Sequence, residues 1–276
     1  IQETLTSTAT ATVITELTKV DGQEIAKSYN SGRFVQITVN QSDGSTNTTG
    51  PWNLGFSDAH KITEVRRKTG NSAFTTASEG TNVTTSFSLD TGQTDNLYNH
   101  GKLKLKSSAT LTPSAGDVYL VKLNYFSHDT SQGVGYFSVD SYPIDDNNTA
   151  NTTAITTQEI PIHISPVNGA RFDLRDSIDI RPRITDTSTD TTSVGSASVN
   201  PTTSTAITAP AGGLRFMAPN ENLTADLDYY LSRADIVSIS PSGAFKVTKG
   251  KPSLVPVFPE EPSGHLPIAK VFVPPY

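Results

Sequence analysis

A chain of 276 residues with a net charge of −6, no cysteine, 34% hydrophobic and 17% charged residues excludes several classes at once. It is long enough for one large or two ordinary domains with a substantial core. It has no disulfide framework and no thiolate metal site, and its acidic balance argues against nucleic acid, which calls for a basic stripe.

The deficit in apolar and charged residues is filled by Thr, Ser, Asn, Gly and Pro, a composition of many short strands and turns. The expected fold class is therefore all-β, built as β-sandwich-like modules with long Thr/Ser-rich loops. No apolar run approaches the ~20 residues of a membrane-spanning helix, and no signal peptide opens the chain. The first residue is Ile1, which reads as a segment of something longer or a processed product.

In chain order, Thr4–Leu17 is extended and Thr-rich, and Ile14–Val20 runs into Asp21-Gly22, which signals a hairpin into a return strand over Gln23–Tyr29, with a helical turn over Gln23–Lys27 as the alternative. Phe34–Val39 alternates with strand period. Thr46–Phe56 holds the one Trp, Trp52, between Pro51 and Gly55, and Ile62–Lys68 is a strand with a basic end. Phe87–Leu89 precedes a dense run of turn formers, Asp90–Gly101, and Leu103 and Leu105 alternate with Lys102, Lys104 and Lys106. Val118–Phe126 is the most apolar run of this half and predicts a central strand.

Pro166–Ile184 is the stretch around which the halves are arranged. After a turn at Pro166, Asn168 and Gly169, the run Phe172–Ile184 puts Ile178, Ile180, Pro182 and Ile184 on one parity. Ser177, Asp179, Arg181 and Arg183 fall on the other, so the spacing predicts a strand with one apolar and one charged face. The expected domains are 1–49, N-terminal strands contacting partners; 50–165, a β-sandwich-like module; and 166–276, a second β module with a flexible loop at 185–213. Within the last, Asp235–Ser240, Pro241-Ser242-Gly243 and Ala244–Gly250 predict a hairpin. The Pro-rich tail carries a final strand over Ile268–Val273, which suits a sheet edge.

Chemistry-bearing residues are sparse. The five histidines, His60, His100, His128, His163 and His265, show no metal-ligand spacing. Asp145-Asp146-Asn147-Asn148 could offer oxygen ligands to calcium but lacks the fixed spacing of a calcium loop, so a solvated loop is expected. Asp173, Asp176 and Asp179 sit three apart, which alternates faces on a strand; with Arg175, Arg181 and Arg183 they predict an ion-pair and turn network. Asn82 with Thr84 and Asn222 with Thr224 are chance sequons in a Thr-rich chain. Trp52, Tyr98, Tyr136, Tyr142 and Tyr229 could stack on a sugar, against the default of core packing. There is no nucleophile elbow, P-loop or dinucleotide fingerprint. No catalytic, cofactor-binding or metal residue is assigned, no cofactor is expected, and the chain is read as not an enzyme.

Several segments, in order, resemble a family of phage virion structural proteins with an uncharacterised domain in T4-like cyanophages and marine phages. They are Leu89–Gly101, Asn124–His128, Tyr136–Pro143, Phe172–Arg183, Tyr229–Asp235, Gly250–Pro252 and Val273–Tyr276. They span about residues 50–276, and residues 1–49 match less well. Ser177 and Ile180 stand where that family more often has Cys and Phe, and Ser232 where it often has Pro. The resemblance implies a bacteriophage tail protein of the virion, at the baseplate or in a tail fiber, with tail proteins and copies of itself as partners. It brings no catalytic residue. An expectation from a different class is a carbohydrate-binding adhesin module that meets a surface glycan through exposed Trp52 or Tyr98.

Overall fold

The computed structural model describes residues 22–39, 48–129, 134–147, 150–188, 194, 216, 222, 224 and 230–275. The fold is all-β, and the helical turns, Thr84–Ser86, Val139–Ser141 and Thr157–Glu159, are three residues each. Chain contacts divide it into two compact units, Ile1–Thr224 and Ala225–Tyr276.

In the first unit, β1 (Gln23–Glu24) leads to β2 (Lys27–Thr38), β3 (Trp52–Ser57), β4 (Ala59–Lys68) and β5 (Thr81–Asn82). Then come β6 (Phe87–Asp90), β7 (His100–Leu105), β8 (Val118–His128), β9 (Gly135–Tyr136), β10 (Ile162–Ile164) and β11 (Arg171–Asp173). One sheet has the order β2-β8-β4-β5 and another β3-β7-β6, both antiparallel throughout. β8 lies between β2 and β4, paired along most of its length on both sides, as its apolar run predicts.

Strand alternation builds the core. Val35 and Ile37 on β2 and Tyr119, Val121, Leu123 and Tyr125 on β8 share one face of the four-stranded sheet. They meet Trp52, Leu54, Phe56, Phe87 and Leu103 of the three-stranded sheet, which makes a sandwich interior. Ring contacts tie the layers together: Phe56 stacks on Tyr125 at 4.4 Å and Trp52 lies 5.6 Å from Tyr119. The opposite parity of β2 and β8, Phe34, Val118 and Leu120, is covered by Phe74 and Val194. Both faces of β8 are therefore covered, which is why it reads as a continuous apolar run.

The predicted boundary at 49/50 does not separate compact units, because β2 is hydrogen-bonded to β8 from Lys27 to Thr38. Likewise 165/166 is crossed by a hairpin, β10 against β11, with Ile162 opposite Asp173. The return strand expected over Gln23–Tyr29 is split. β1 pairs in parallel with β9, and β2 begins two residues later. Residues 1–21, with the extended Thr-rich run expected there, and most of the flexible loop expected at 185–213 lie outside the described residues.

The second unit is described from Tyr230. Its strands are β12 (Arg233–Ile239), β13 (Phe245–Thr248) and β14 (Leu266–Val273), in the antiparallel order β13-β12-β14. The predicted hairpin is present, with Ile239 opposite Phe245 and Gly243 at φ 83° in the turn. β14 is an edge strand, and its Pro267 sits at a register shift, where the missing N–H is tolerated.

Leu123, fully buried between the sheets, sets the scale of core packing. Replacing it by Ala should lower unfolding free energy by about 2–5 kcal/mol without changing the strand content, read by denaturant titration with far-UV circular dichroism.

Candidate functional site

Charged side chains lie inside this unit where β2 begins, where β3 turns into β4, and where residues 174–188 cross the sandwich. That segment is extended, yet it is held by isolated bridges and not by a sheet. Phe137 and Asp179 exchange backbone hydrogen bonds at 2.7 and 2.8 Å. The Tyr98 N–H donates to the Pro182 carbonyl at 2.9 Å, and the Ile184 N–H donates to the Tyr98 carbonyl at 3.2 Å. Further on, the N–H groups of Thr187 and Ser188 donate to the Gly55 carbonyl at 2.8 and 3.1 Å. Gly55 sits at φ 73°, and a Cβ there would lie 1.9 Å from Ser188 Oγ, so this approach requires glycine.

The face assignment of this strap reverses the simplest reading of its pattern. Asp179, Arg181 and Arg183 are buried, whereas Ile178 and Ile180 are exposed to 46% and 40%. The charged parity faces inward because it meets polar groups already waiting there. Arg181 grips Asp179 with two hydrogen bonds, Nε to Oδ1 at 2.9 Å and Nη2 to Oδ2 at 2.6 Å. Its remaining N–H groups donate to the Thr94 carbonyl at 3.0 Å, Gln93 Oε1 at 3.2 Å and Tyr98 Oη at 3.0 Å. The guanidinium also lies 4.3 Å from the centre of the Tyr98 ring. Arg183 Nη2 donates to the Ser57 carbonyl at 3.2 Å and pairs with Asp186 at 2.7 Å.

Behind Tyr98 lies Lys27. Its Nζ is 2.8 Å from Asp58 Oδ2, with the two side chains 1% and 4% exposed. It donates to the hydroxyls of Tyr98 at 3.4 Å and Tyr142 at 3.2 Å. Four rings enclose the ammonium, with centres 4.7 Å (Tyr98), 5.6 Å (Phe126), 4.5 Å (Phe137) and 4.6 Å (Tyr142) away. Gln93 Nε2 donates to Asp58 Oδ1 at 3.4 Å, and the Tyr98 hydroxyl donates to Asp179. Asp58 itself sits in the left-handed region at φ 54°, uncommon for a residue with a side chain.

The junction thus holds two cations and two carboxylates in mutual contact. Burial works against the Lys27 ammonium, but Asp58, Tyr142 and Asp179 outweigh it and raise the pKa above the ordinary lysine value. Burial likewise opposes the Asp179 carboxylate, while the hydrogen bonds and charge of Arg181 hold its pKa below the usual carboxylate range. Burial, with Asp58 next, pushes the Tyr98 phenol well up.

The three aspartates singled out by spacing do not converge. Asp179 joins the junction, Asp173 pairs with Arg175 at the surface, and Asp176 is exposed. Each ion pair joins residues two apart, which share a face of an extended chain.

The histidines stay apart and each has a local role. His100 Nε2 donates to the Thr185 carbonyl at 2.8 Å, leaving Nδ1 to accept from Asn53 at 3.3 Å. His60 contacts the Glu159 carbonyl at 3.0 Å and the Tyr29 hydroxyl at 3.3 Å. His163 contacts Asp95 at 2.9 Å, His265 the Ser263 carbonyl at 3.1 Å, and His128 packs edge-on to Phe137. Among the described residues, no three His, Asp or Glu side chains gather as a metal centre. Asp145 and Asp146 are engaged by their own loop: Asn151 donates to Asp145, and Thr157 donates twice to Asp146. Asn148 and Tyr229 lie outside the described residues.

Trp52, Tyr98, Tyr136 and Tyr142 are buried, at 4%, 1%, 4% and 5% exposure. This corrects the expectation of an exposed Trp52 or Tyr98: the inward parity of β3 and the closure of the strap place both in the interior. A cleft of about 470 Å³ is lined by Arg67, Thr69, Gly80 and Leu111, none of them a junction residue. Sequence reasoning missed Lys27 and Asp58. An isolated Lys beside a strand start and an Asp after Gly-Phe-Ser carry no periodic signal. The chain matches no protein-family model, no curated protein and no solved structure.

Two measurements check this junction. Arg181→Ala should cost about 3–5 kcal/mol by leaving Asp179 buried without its partner, whereas Ile180→Ser should stay within about 0.5 kcal/mol, both by urea titration.

The second measurement uses pH. Burial first, then the charges of Arg183 and Lys27, hold His128 down to about 4. The unfolded chain therefore takes up that proton at higher pH than the folded one. Stability should fall as pH drops from about 6.5 to about 4, by on the order of 3 kcal/mol from this group. In His128→Gln the slope of stability against pH across that window should flatten.

Proposed function

We propose that this chain is a non-enzymatic structural protein of a phage tail, at the baseplate or in a fibre. It assembles with copies of itself and with other tail proteins, and it connects to or forms part of the host-contacting apparatus.

The observation that carries this reading is the second unit's sheet. Ile239 lies between Phe245 and Leu266 in one cross-strand row, and Val237 lies between Val247 and Ala269 in the next row of the same face. Phe245 is 73% exposed, Val247 53% and Leu266 66%. The outer edges of β13 and β14 have no strand partner among the described residues. An apolar face spanning three strands and bounded by open edges is a surface suited to burial in an assembly.

A second support comes from where the resembling segments meet. Leu89–Gly101 supplies Gln93 and Tyr98, Tyr136–Pro143 supplies Phe137 and Tyr142, and Phe172–Arg183 supplies Asp179 and Arg181. They meet in the buried junction: Arg181 donates to Gln93 and Tyr98, Phe137 bonds the Asp179 backbone, and Phe137 and Tyr142 enclose Lys27. What the resemblance has in common is thus an architectural centre, as expected of a building block.

Immunogold labelling of intact phage particles with antibody to this chain should decorate the tail; label on the capsid alone, or none, overturns the proposal. The purified chain should also self-associate in sedimentation velocity, and Phe245→Ser with Leu266→Ser should shift it toward monomer while leaving the first unit's melting transition in place.

A further inference from the structure

We propose that Lys27 and Asp58 condense to an intramolecular amide, an isopeptide cross-link between β2 and the β3–β4 corner.

The geometry is that of a reaction held ready. Nζ and the Asp58 carboxylate are at 2.8 Å with both side chains almost wholly buried, 31 residues apart in sequence. Reacting groups fixed at contact distance behave as though at very high mutual concentration, on the order of 10⁵–10⁸ M in well-oriented cases. A dry interior also removes the solvent that makes amide formation unfavourable and hydrolysis easy. The four rings around Nζ provide that exclusion.

The surrounding charges favour the ammonium, and the reactive form lies one proton transfer away along the contact. A buried ion pair carries a large desolvation cost, and moving one proton along the 2.8 Å contact from Nζ to Oδ2 gives a neutral amine and a neutral acid. The junction's total charge is unchanged by that transfer. The amine lone pair then attacks Cγ, and the Nζ–Cγ bond forms. Charge developing on Oδ1 faces the Gln93 amide, which donates to that oxygen at 3.4 Å. A second proton passes from nitrogen to the departing Oδ2 hydroxyl. The Tyr98 and Tyr142 hydroxyls, 3.4 and 3.2 Å from Nζ, are the groups placed to carry it. The Cγ–Oδ2 bond breaks, and Oδ2 leaves as water with two protons that began on the ammonium. Oδ1 remains as the amide carbonyl and the third proton stays on nitrogen. No oxidant, metal or co-reactant is needed.

Two further features point to the reaction and not to a plain ion pair. Asp58 is held at φ 54° with its carbonyl accepting from the Phe126 N–H at 3.0 Å, so its carboxyl is aimed by a backbone conformation with a cost of its own. The product also removes two buried charges and leaves an amide whose oxygen already has a donor in Gln93. The cross-link would brace β2 against the turn that starts β4, on the other side of the central β8.

Intact-mass spectrometry of the purified full chain tests this without reference to any role in a virion. The expected mass is lower than that of the sequence by one water, and Lys27→Arg should have the full sequence mass. Asp58→Asn should lose one ammonia in place of water, because the leaving group is then the amide nitrogen. Trypsin should release a branched peptide joining Val20–Arg33 to Phe34–Lys61, uncut at Lys27. The full sequence mass in folded wild-type protein overturns the proposal, as does a lost water that maps anywhere other than Lys27 and Asp58.

Discussion

The first unit depends on one electrostatic constraint, that charges taken into the interior must be neutralised where they lie. Lys27, Asp58, Asp179 and Arg181 come from three separate parts of the chain and satisfy one another at hydrogen-bond distance. No two of these parts are redundant. Without the strap, Tyr98 loses the carboxylate its hydroxyl donates to, and Phe137 loses the Asp179 backbone it bonds to. Without β2, Asp58 is left as an unpaired buried anion, which costs more than the pair contributes. The sandwich core supplies most of the hydrophobic stabilisation, but the polar junction decides which segments must be present together for that core to close.

The two units use apolar residues in opposite ways. In the first, strand parity sends Val35, Ile37, Val121 and Leu123 between two sheets, and a third layer covers the far side of β8. In the second, a single three-stranded sheet buries Ala234, Ile236 and Ser238 of its central strand on one face and leaves Phe245, Val247 and Leu266 exposed on the other. Three strands with an apolar face are about the least that stands alone. The open apolar face is the one the proposed assembly would cover.

The legible part of the fold follows from periodicity. The continuous apolar run Val118–Phe126 and the turn at Pro241-Ser242-Gly243 specify strands whatever the tertiary context, because such a run suits only a strand covered on both faces and such a turn suits its glycine. The ion pairing of Asp173, Asp179 and their arginines was legible too, from density alone. The strap's orientation was not. Alternation tells which residues share a face and leaves open which face is inward. Here the choice was made by Gln93, Thr94, Tyr98 and Ser57, which lie far away in sequence. Lys27 and Asp58 were invisible for the same reason: their meaning is a distance, and a distance between residues 31 apart is created by the sheet.

The inverted strap also explains why its register is fixed. An extended segment with isoleucines at alternate positions could slide by two residues and present an equivalent apolar pattern. Sliding would bring Arg183 opposite the Tyr98 hydroxyl and move Asp179 away from it, and Ser57 would lose the guanidinium that its carbonyl accepts from. Several buried polar groups would then be unsatisfied together, each costing about 1–3 kcal/mol or more when charged. The apolar side gains nothing to offset this: Ile178 and Ile180 are exposed, and Ile184, buried on the same parity, would leave its place. Turning the charged parity inward therefore converts a segment with a weakly specified position into one with a single position, and the resulting stop places Ser188 against Gly55 and Asp179 against Tyr98 at the same time.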